Sequence, residues 1–348
     1  QAADAPAVLP QTHGIDRISS FVGDKTAGVA HIDLSMLNLQ ATHDWLQKVT
    51  KATFTDQQQQ QQALQNLQMS HQMTQEWVDK MQKAGVTDLY MVMHAQEQGM
   101  PQTALIVPLD ATDDAQQIQQ LLTPKEAQQA NLPEQHQMKV EKLHNAIVAA
   151  PKGAIDTFRD AKPGDVKTLG TALSAVEKSA IQFAILANEN LANQIKQYMK
   201  DDQQALQNLQ ELQKSVKWVA LGLNTPPKGA LDLHLQAADE QSAQKLAQQF
   251  QTFLQDVAKN PDVARVAPNF KEDIALLKPE VQNDRVVLHL TGEELDRLVM
   301  RDIVPTVRTL MIPGQDQPQQ DQPEPKIEDR GQDRIEVQPQ PQPQPLPQ

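Results

Sequence analysis

The chain has 348 residues and a net charge of −13, with 39% hydrophobic, 22% charged and 3% aromatic residues and no cysteine. Disulfides, thiolate metal sites, iron–sulfur clusters and a thiol nucleophile are therefore excluded. The charge opposes nucleic acid and anionic membrane surfaces as partners, few aromatics are present to stack on sugars or bases, and no apolar run nears the roughly 18 residues of a spanning helix.

Residues 1–25 carry Pro6, Pro10, Gly14 and Gly23 and hold no sustained period, so they read as a lead-in with one short element at Ile15–Val22. The opening run, Gln1-Ala-Ala-Asp-Ala-Pro-Ala, resembles what signal peptidase leaves behind, so an extracytoplasmic location, periplasmic or secreted, is expected. Ala27 to Leu34 reads as a first strand. Ser35 to Lys51 is helix-like, with Leu37, Leu39, Trp45, Leu46 and Val49 as its apolar set. The glutamine run 57–62 leads into Met69, Met73, Trp77, Val78 and Met81. These step by three and four, which predicts a long helix to Lys83 closed by Gly85, with the methionines packed in the core.

A hairpin is expected at about Val86–Ala95 and Thr103–Asp110, then a helix capped by Asp113 or Asp114 and running to Leu122. Residues 123–138 read as loop, Asn145–Ala150 as a strand, and Lys152–Phe158 as the start of a short helix. Pro163-Gly164 is the expected joint. Beyond it Val166–Lys178 is helical by period, Ala180–Leu186 is a strand, and Glu189–Lys214 is mostly helix.

The clearest signal lies at Val216–Ala237. Val219, Leu221 and Leu223 alternate with Trp218, Ala220 and Gly222, and beyond a Thr-Pro-Pro-Lys-Gly turn Leu231, Leu233 and Leu235 alternate with Asp232, His234 and Gln236. That is a β-hairpin with one apolar and one polar side. Asp239 then caps a helix to about Ala258, Asn283-Asp284 makes a turn, Arg285–Leu290 is a strand, and Gly292–Leu298 is a closing helix.

Each half thus runs strand, helix, hairpin, helix, strand. Gln-Gln-Ala-Leu-Gln-Asn-Leu-Gln occurs at 61–68 and again at 203–210, and Gly153, Ile155, Asp156, Phe158 matches Gly292, Leu295, Asp296, Leu298. The expected fold is α+β: two tandem β-α-β-β-α-β repeats, ferredoxin-like, with antiparallel sheets. The divisions are a lead-in at 1–25, repeats at 26–162 and 163–312, and a disordered Pro/Gln-rich tail at 313–348. The two sheets could join edge to edge or pack face to face.

The segments Val29-Ala-His-Ile-Asp-Leu34, Gly85-Val-Thr-Asp-Leu-Tyr-Met-Val92 and Val216-Lys-Trp-Val-Ala-Leu-Gly-Leu223 resemble uncharacterised exported bacterial proteins with two tandem ferredoxin-like repeats. The resemblance spans about residues 20–305. It implies export, and it brings no established activity and no functional residue.

Candidate chemistry is sparse. His31, His94, His234 and His289 fall on predicted strands at positions facing away from the helices. His31 shares parity with Asp33, so His31, Asp33 and His94 form a candidate set for zinc or a related metal. Asp232, His234 and His289 mark a possible polar sheet face. No nucleophile motif, phosphate-binding loop or other cofactor motif is present, and the paired carboxylates sit at helix starts or in loops, where capping accounts for them. The expected function is a non-enzymatic exported binding or envelope-scaffold protein whose partner is a protein or envelope component. The alternatives are a metal-dependent protein or hydrolase using the His/Asp set, and a carrier of an apolar ligand held between helix layer and sheet.

Overall fold

The computed structural model describes residues 14–96, 100–124, 132–198, 211 and 213–311. The Pro/Gln-rich tail, the second copy of the glutamine motif at 203–210 and the first half of the lead-in lie outside the described residues.

Ten strands form one antiparallel sheet. The first half supplies β1 (Thr26–Asp33), β2 (Asp88–His94), β3 (Gln102–Pro108), β4 (Met138–Leu143) and β5 (Ala146–Pro151). The second supplies β6 (Ile181–Leu186), β7 (Val216–Asn224), β8 (Ala230–Ala237), β9 (Glu280–Gln282) and β10 (Arg285–Thr291). The order across the sheet is β4-β5-β3-β2-β1-β6-β7-β8-β10-β9, so each half counts outward from its own first strand in the same sequence. The halves meet edge to edge through β1 and β6, with Gly28 opposite Ile185 and Ala30 opposite Phe183.

The α+β class and the antiparallel sheet are as expected, but the ferredoxin-like strand order is not what the halves form. A single helix returns the chain to the end where its strand began, so the next strand runs parallel. Between β1 and β2 there are two helices, α1 (Leu39–Thr53) and α2 (Gln57–Lys83). Out and back, they deliver the chain to the end it left, and Asp88 pairs with Asp33 in an antiparallel ladder. Asp56 makes the break between them, its side chain accepting the Gln59 N–H at 2.8 Å as an N-cap.

Beyond helix α3 (Ala115–Leu122) the return is parallel: β4 runs in the same direction as β3, since β5 pairs antiparallel with both. A two-residue turn at His144-Asn145, with His144 at φ 50°, then slots β5 between β3 and β4. The second half repeats this. One long helix and two short ones after β8 lead to β9, and a turn at Asn283-Asp284, with Asn283 at φ 57°, slots β10 between β8 and β9.

The remaining helices are α4 (Ile155–Arg159), α5 (Val166–Ser174), α6 (Glu189–Tyr198), α7 (Glu240–Lys259), α8 (Pro261–Val266), α9 (Phe270–Asp273), α10 (Gly292–Leu298) and α11 (Val304–Met311), with a π-type turn at Val299–Ile303. None of the described helices is long and apolar enough to cross a membrane.

Register fixes the two faces of the sheet. Leu89, Ile32, Ile181, Leu223, Leu231 and Leu290 stand opposite one another across six strands and so share one face. In the first half, α2 and α3 cover that face, Val78, Met81 and Ile118 packing on Leu89, Val107 and Ile147. The opposite face there is covered too, by the 3₁₀ helix Ile15–Phe21, α4 and α5, whose Ile18, Phe21, Phe158 and Leu169 close over Tyr90, Val92, Ile106 and Val148. The face expected to be helix-free is thus buried in the first half, by the lead-in and the segments around the joint.

Of the methionines expected in the core, Met81 is buried, whereas Met69 and Met73 are exposed. They lie on the half of α2 that pairs with α1, where His71 stacks on His43. Helix α1 in turn ties the halves together. Trp45 Nε1 donates to Asp296 of α10 at 3.0 Å, and Arg308 of α11 donates to the Ala52 and Thr53 carbonyls.

The joint closes through backbone hydrogen bonds. Gly164 N–H donates to the Val22 carbonyl and Asp24 N–H to the Lys162 carbonyl. A Cβ on Gly164 would lie 2.0 Å from the Gly23 carbonyl oxygen, far inside contact distance. Gly164→Ala is expected to cost about 3 kcal/mol, because backbone on both sides must move to admit the methyl. Urea unfolding monitored by circular dichroism checks this; a cost below about 1 kcal/mol would show the joint to be slack.

Candidate functional site

The proposed metal set does not converge. His31 Nε2 lies 2.8 Å from Asp88 Oδ1 and its ring stacks on Tyr90 at 4.6 Å. Asp88 also accepts from Arg17 Nη1 at 3.0 Å, and Arg17 reaches Asp110 at 2.9 Å. Burial works to raise the Asp88 carboxyl, but hydrogen bonds from His31 and Thr87 and the Arg17 charge outweigh it and hold the group below its ordinary range. Asp33 is occupied otherwise, its Oδ1 accepting from the Ser35 N–H at 2.8 Å and the Ser35 hydroxyl at 2.6 Å.

His94 sits at the far end of the β1–β2 ladder, opposite Thr26, whereas His31 is opposite Tyr90. Its Nε2 donates to the Phe21 carbonyl at 3.1 Å, and the ring, 2% exposed, stacks on Phe158. Burial holds its pKa below the ordinary value. These are the contacts of a core histidine. Among the described residues no group of three or more histidine and carboxylate side chains is placed to hold a metal ion.

In the second half, Asp232, His234 and His289 lie on the face opposite α7, as the hairpin alternation requires. His289 Nδ1 pairs with Asp232 Oδ1 at 2.6 Å. His234 sits alongside, its pKa lowered by burial and then by the Arg285 charge. Arg285 lies 5.2 Å over the Trp218 ring and holds Gln236 Oε1. The row is polar, and it lies on the face opposite the clefts.

The other face of the second half differs. In the first half the side chains under α2 and α3 make one contiguous buried cluster. Under α7 they do not. Ala237, Ala243, Ala247 and Val286 form one small cluster where the helix comes close on two alanines. Leu288, Leu290 and Leu298 form another. Leu233, Leu235, Leu246 and Phe250 are packed at the margins of these clusters and are only partly buried. The space between is a cleft of about 420 Å³, lined by β8, β10 and Pro279 on one side and by Leu246, Gln249, Phe250 and Phe253 of α7 on the other. Phe253 is 61% exposed at its margin.

A second cleft of about 160 Å³ lies alongside, between α6 and strands β6 to β8. Leu235 is common to both. Its lining adds Ile185, Val219, Leu191 and Ile195, with Asn188 and Gln213 supplying amides. Asn188 is partly committed, accepting from the Leu191 N–H and donating to the Thr26 carbonyl at 3.0 Å.

Sequence reasoning identified the leucines as the helix-facing side of the hairpin but not the gap beneath the helix. One signal was available. The α7 stripe mixes the small residues Ala243 and Ala247, which are buried, with the larger Leu246, Phe250 and Phe253, which are not.

No protein-family model, no curated protein and no solved structure matches the chain.

Proposed function

We propose that the protein is a non-enzymatic binding protein for aliphatic molecules, held in the cleft between α7 and the sheet. The observation that carries this is the contrast between two halves of one topology. The first half closes the space between helix and sheet with buried side chains, and the second leaves about 420 Å³ of it open and lined by leucine, valine and phenylalanine. The cleft is open to solvent and exposes apolar surface that favours burial, and its size lies within the roughly 300–1,000 Å³ span of small-molecule sites. An apolar guest would recover the lost contacts. Leucine-rich walls with few aromatics suit alkyl chains better than flat rings. The set carries no nucleophile, acid–base pair or metal ligand, which favours binding over catalysis.

The test is a titration of the full chain with the apolar fluorophore N-phenylnaphthylamine, followed by displacement with tetradecanol. Binding is expected, with Leu246→Trp, which fills the cleft, weakening it by about tenfold, the equivalent of about 1.4 kcal/mol. Met69→Trp, on an exposed helix surface away from the cleft, should change nothing. No binding by the full chain, or equal losses in the two variants, would refute the reading.

A further inference from the structure

Resting on that reading, we propose that the two clefts form one bipartite site for a single long aliphatic chain with an uncharged head. Two observations point to the joined site. The clefts share Leu235 as a common floor residue, so a chain leaving the larger one crosses Leu235 directly into the smaller. On the far side of the smaller cleft, along β6, the sheet keeps apolar side chains at the surface: Ile185, itself part of that lining, stands 37% exposed and Phe183 40% exposed, in the middle of a ten-stranded sheet where such side chains are normally covered.

The charge pattern sets the head. Neither lining contains a charged residue, and its polar groups are the neutral amides of Gln249, Asn188 and Gln213. Lys245 of α7 is already opposed by Glu211, 3.4 Å away. A carboxylate or phosphate head would meet no free counter-charge in the linings and would enter the field of a protein carrying −13. An alcohol, amide or ester head loses little by comparison.

The experiment measures displacement of N-phenylnaphthylamine from the full chain by octanol, tetradecanol and hexadecanol, and by the fatty acids of the same lengths at neutral pH. It uses wild type, Leu246→Trp in the first cleft, and Val219→Trp and Ile195→Trp in the second, each confirmed folded by its melting transition. Affinity should rise from octanol to hexadecanol, by up to roughly fourfold per buried methylene. The second-cleft variants should weaken hexadecanol at least tenfold and leave octanol within twofold, and each alcohol should bind more tightly than its acid.

If both second-cleft variants leave hexadecanol unaffected while Leu246→Trp weakens every chain, the bipartite site is wrong and the single-cleft reading stands. Acids binding as tightly as alcohols would overturn the neutral head. Failure of all chains to bind wild type would remove the functional reading itself.

Discussion

Asp302→Asn is expected to stabilise the protein by roughly 2–3 kcal/mol at about pH 7.5 and to have little effect near pH 4. Asp302 lies in the π-type turn between α10 and α11 and is 5% exposed, and neither oxygen of its ionised carboxylate finds a donor among the described residues. It faces Asp273 at the end of α9, which is fully buried and has one oxygen unpartnered. Arg297 and Arg301 both reach Asp273 Oδ1, and Arg301 also holds Glu272. Burial first, and then the Asp273 charge and a hydrogen bond shared with Asp273, push the Asp302 pKa up to about 6, against the opposing pull of the two arginines.

The sign follows from proton counting. Between about 3.8 and 6 the folded state holds a proton that the unfolded chain has released, so the contribution is fully present below about pH 4 and is lost as pH rises through about 6. Asparagine keeps a donor toward Asp273 at every pH and escapes that loss. Urea unfolding of both proteins across this range is the measurement. A stability difference between them that does not change from pH 4 to pH 7.5 would rule out the shared proton.

Phe158→Ala is expected to cost roughly 3–5 kcal/mol, the usual range for emptying a fully buried aromatic site. Phe158 is 0% exposed and closes the helix layer of α4 onto the sheet, stacked on His94 with ring centroids 4.3 Å apart. The cavity would admit water beside the imidazole, so the His94 pKa, now depressed mainly by burial, should rise toward its ordinary value. In wild type a depressed histidine pKa gives stability that is present above about 6.5 and is lost as pH falls through the folded value. The variant should lose part of that acid sensitivity. Denaturant unfolding and NMR titration of the His94 ring protons check the two effects. A cost under about 1.5 kcal/mol with an unmoved titration would show that the neighbours collapse into the space.

Much of the fold was legible where periodicity or chemistry is strong. The Val216–Ala237 hairpin, the long helix to Lys83 and the caps Asp114 and Asp239 all follow from alternation or a side chain that bonds its own backbone. Strands β4 and β9 were not expected. Both are edges, one of mixed charged and apolar residues, the other three exposed residues long, so neither carries a burial pattern. They also decide the topology, because β4 runs parallel to β3 and β9 parallel to β8, and missing them made the ferredoxin-like order look natural.

The candidate site was less legible. Parity put His31 and His94 on one face correctly, but sharing a face says nothing about distance along the strand, and the two lie toward opposite ends of their ladder. The cover over that face comes from the lead-in ahead of β1 and from α4 and α5 beyond β5, which strand alternation does not reveal. The clefts depend on how α7 and α6 seat against the sheet, which no residue pattern states.

The antiparallel meeting of β1 with β6 carries a consequence for assembly. Two units of the same topology, joined by their first strands running in opposite directions, are arranged as the subunits of an isologous dimer would be. A polypeptide carrying one unit alone would end in an unpaired first strand, an edge shaped to accept a second copy of itself. The covalent link through Pro163-Gly164 replaces that bimolecular encounter with an intramolecular one, so the pairing no longer depends on concentration. It also allows the two units to diverge, one keeping a filled interior and the other an open one, which identical subunits encoded by one sequence could not do.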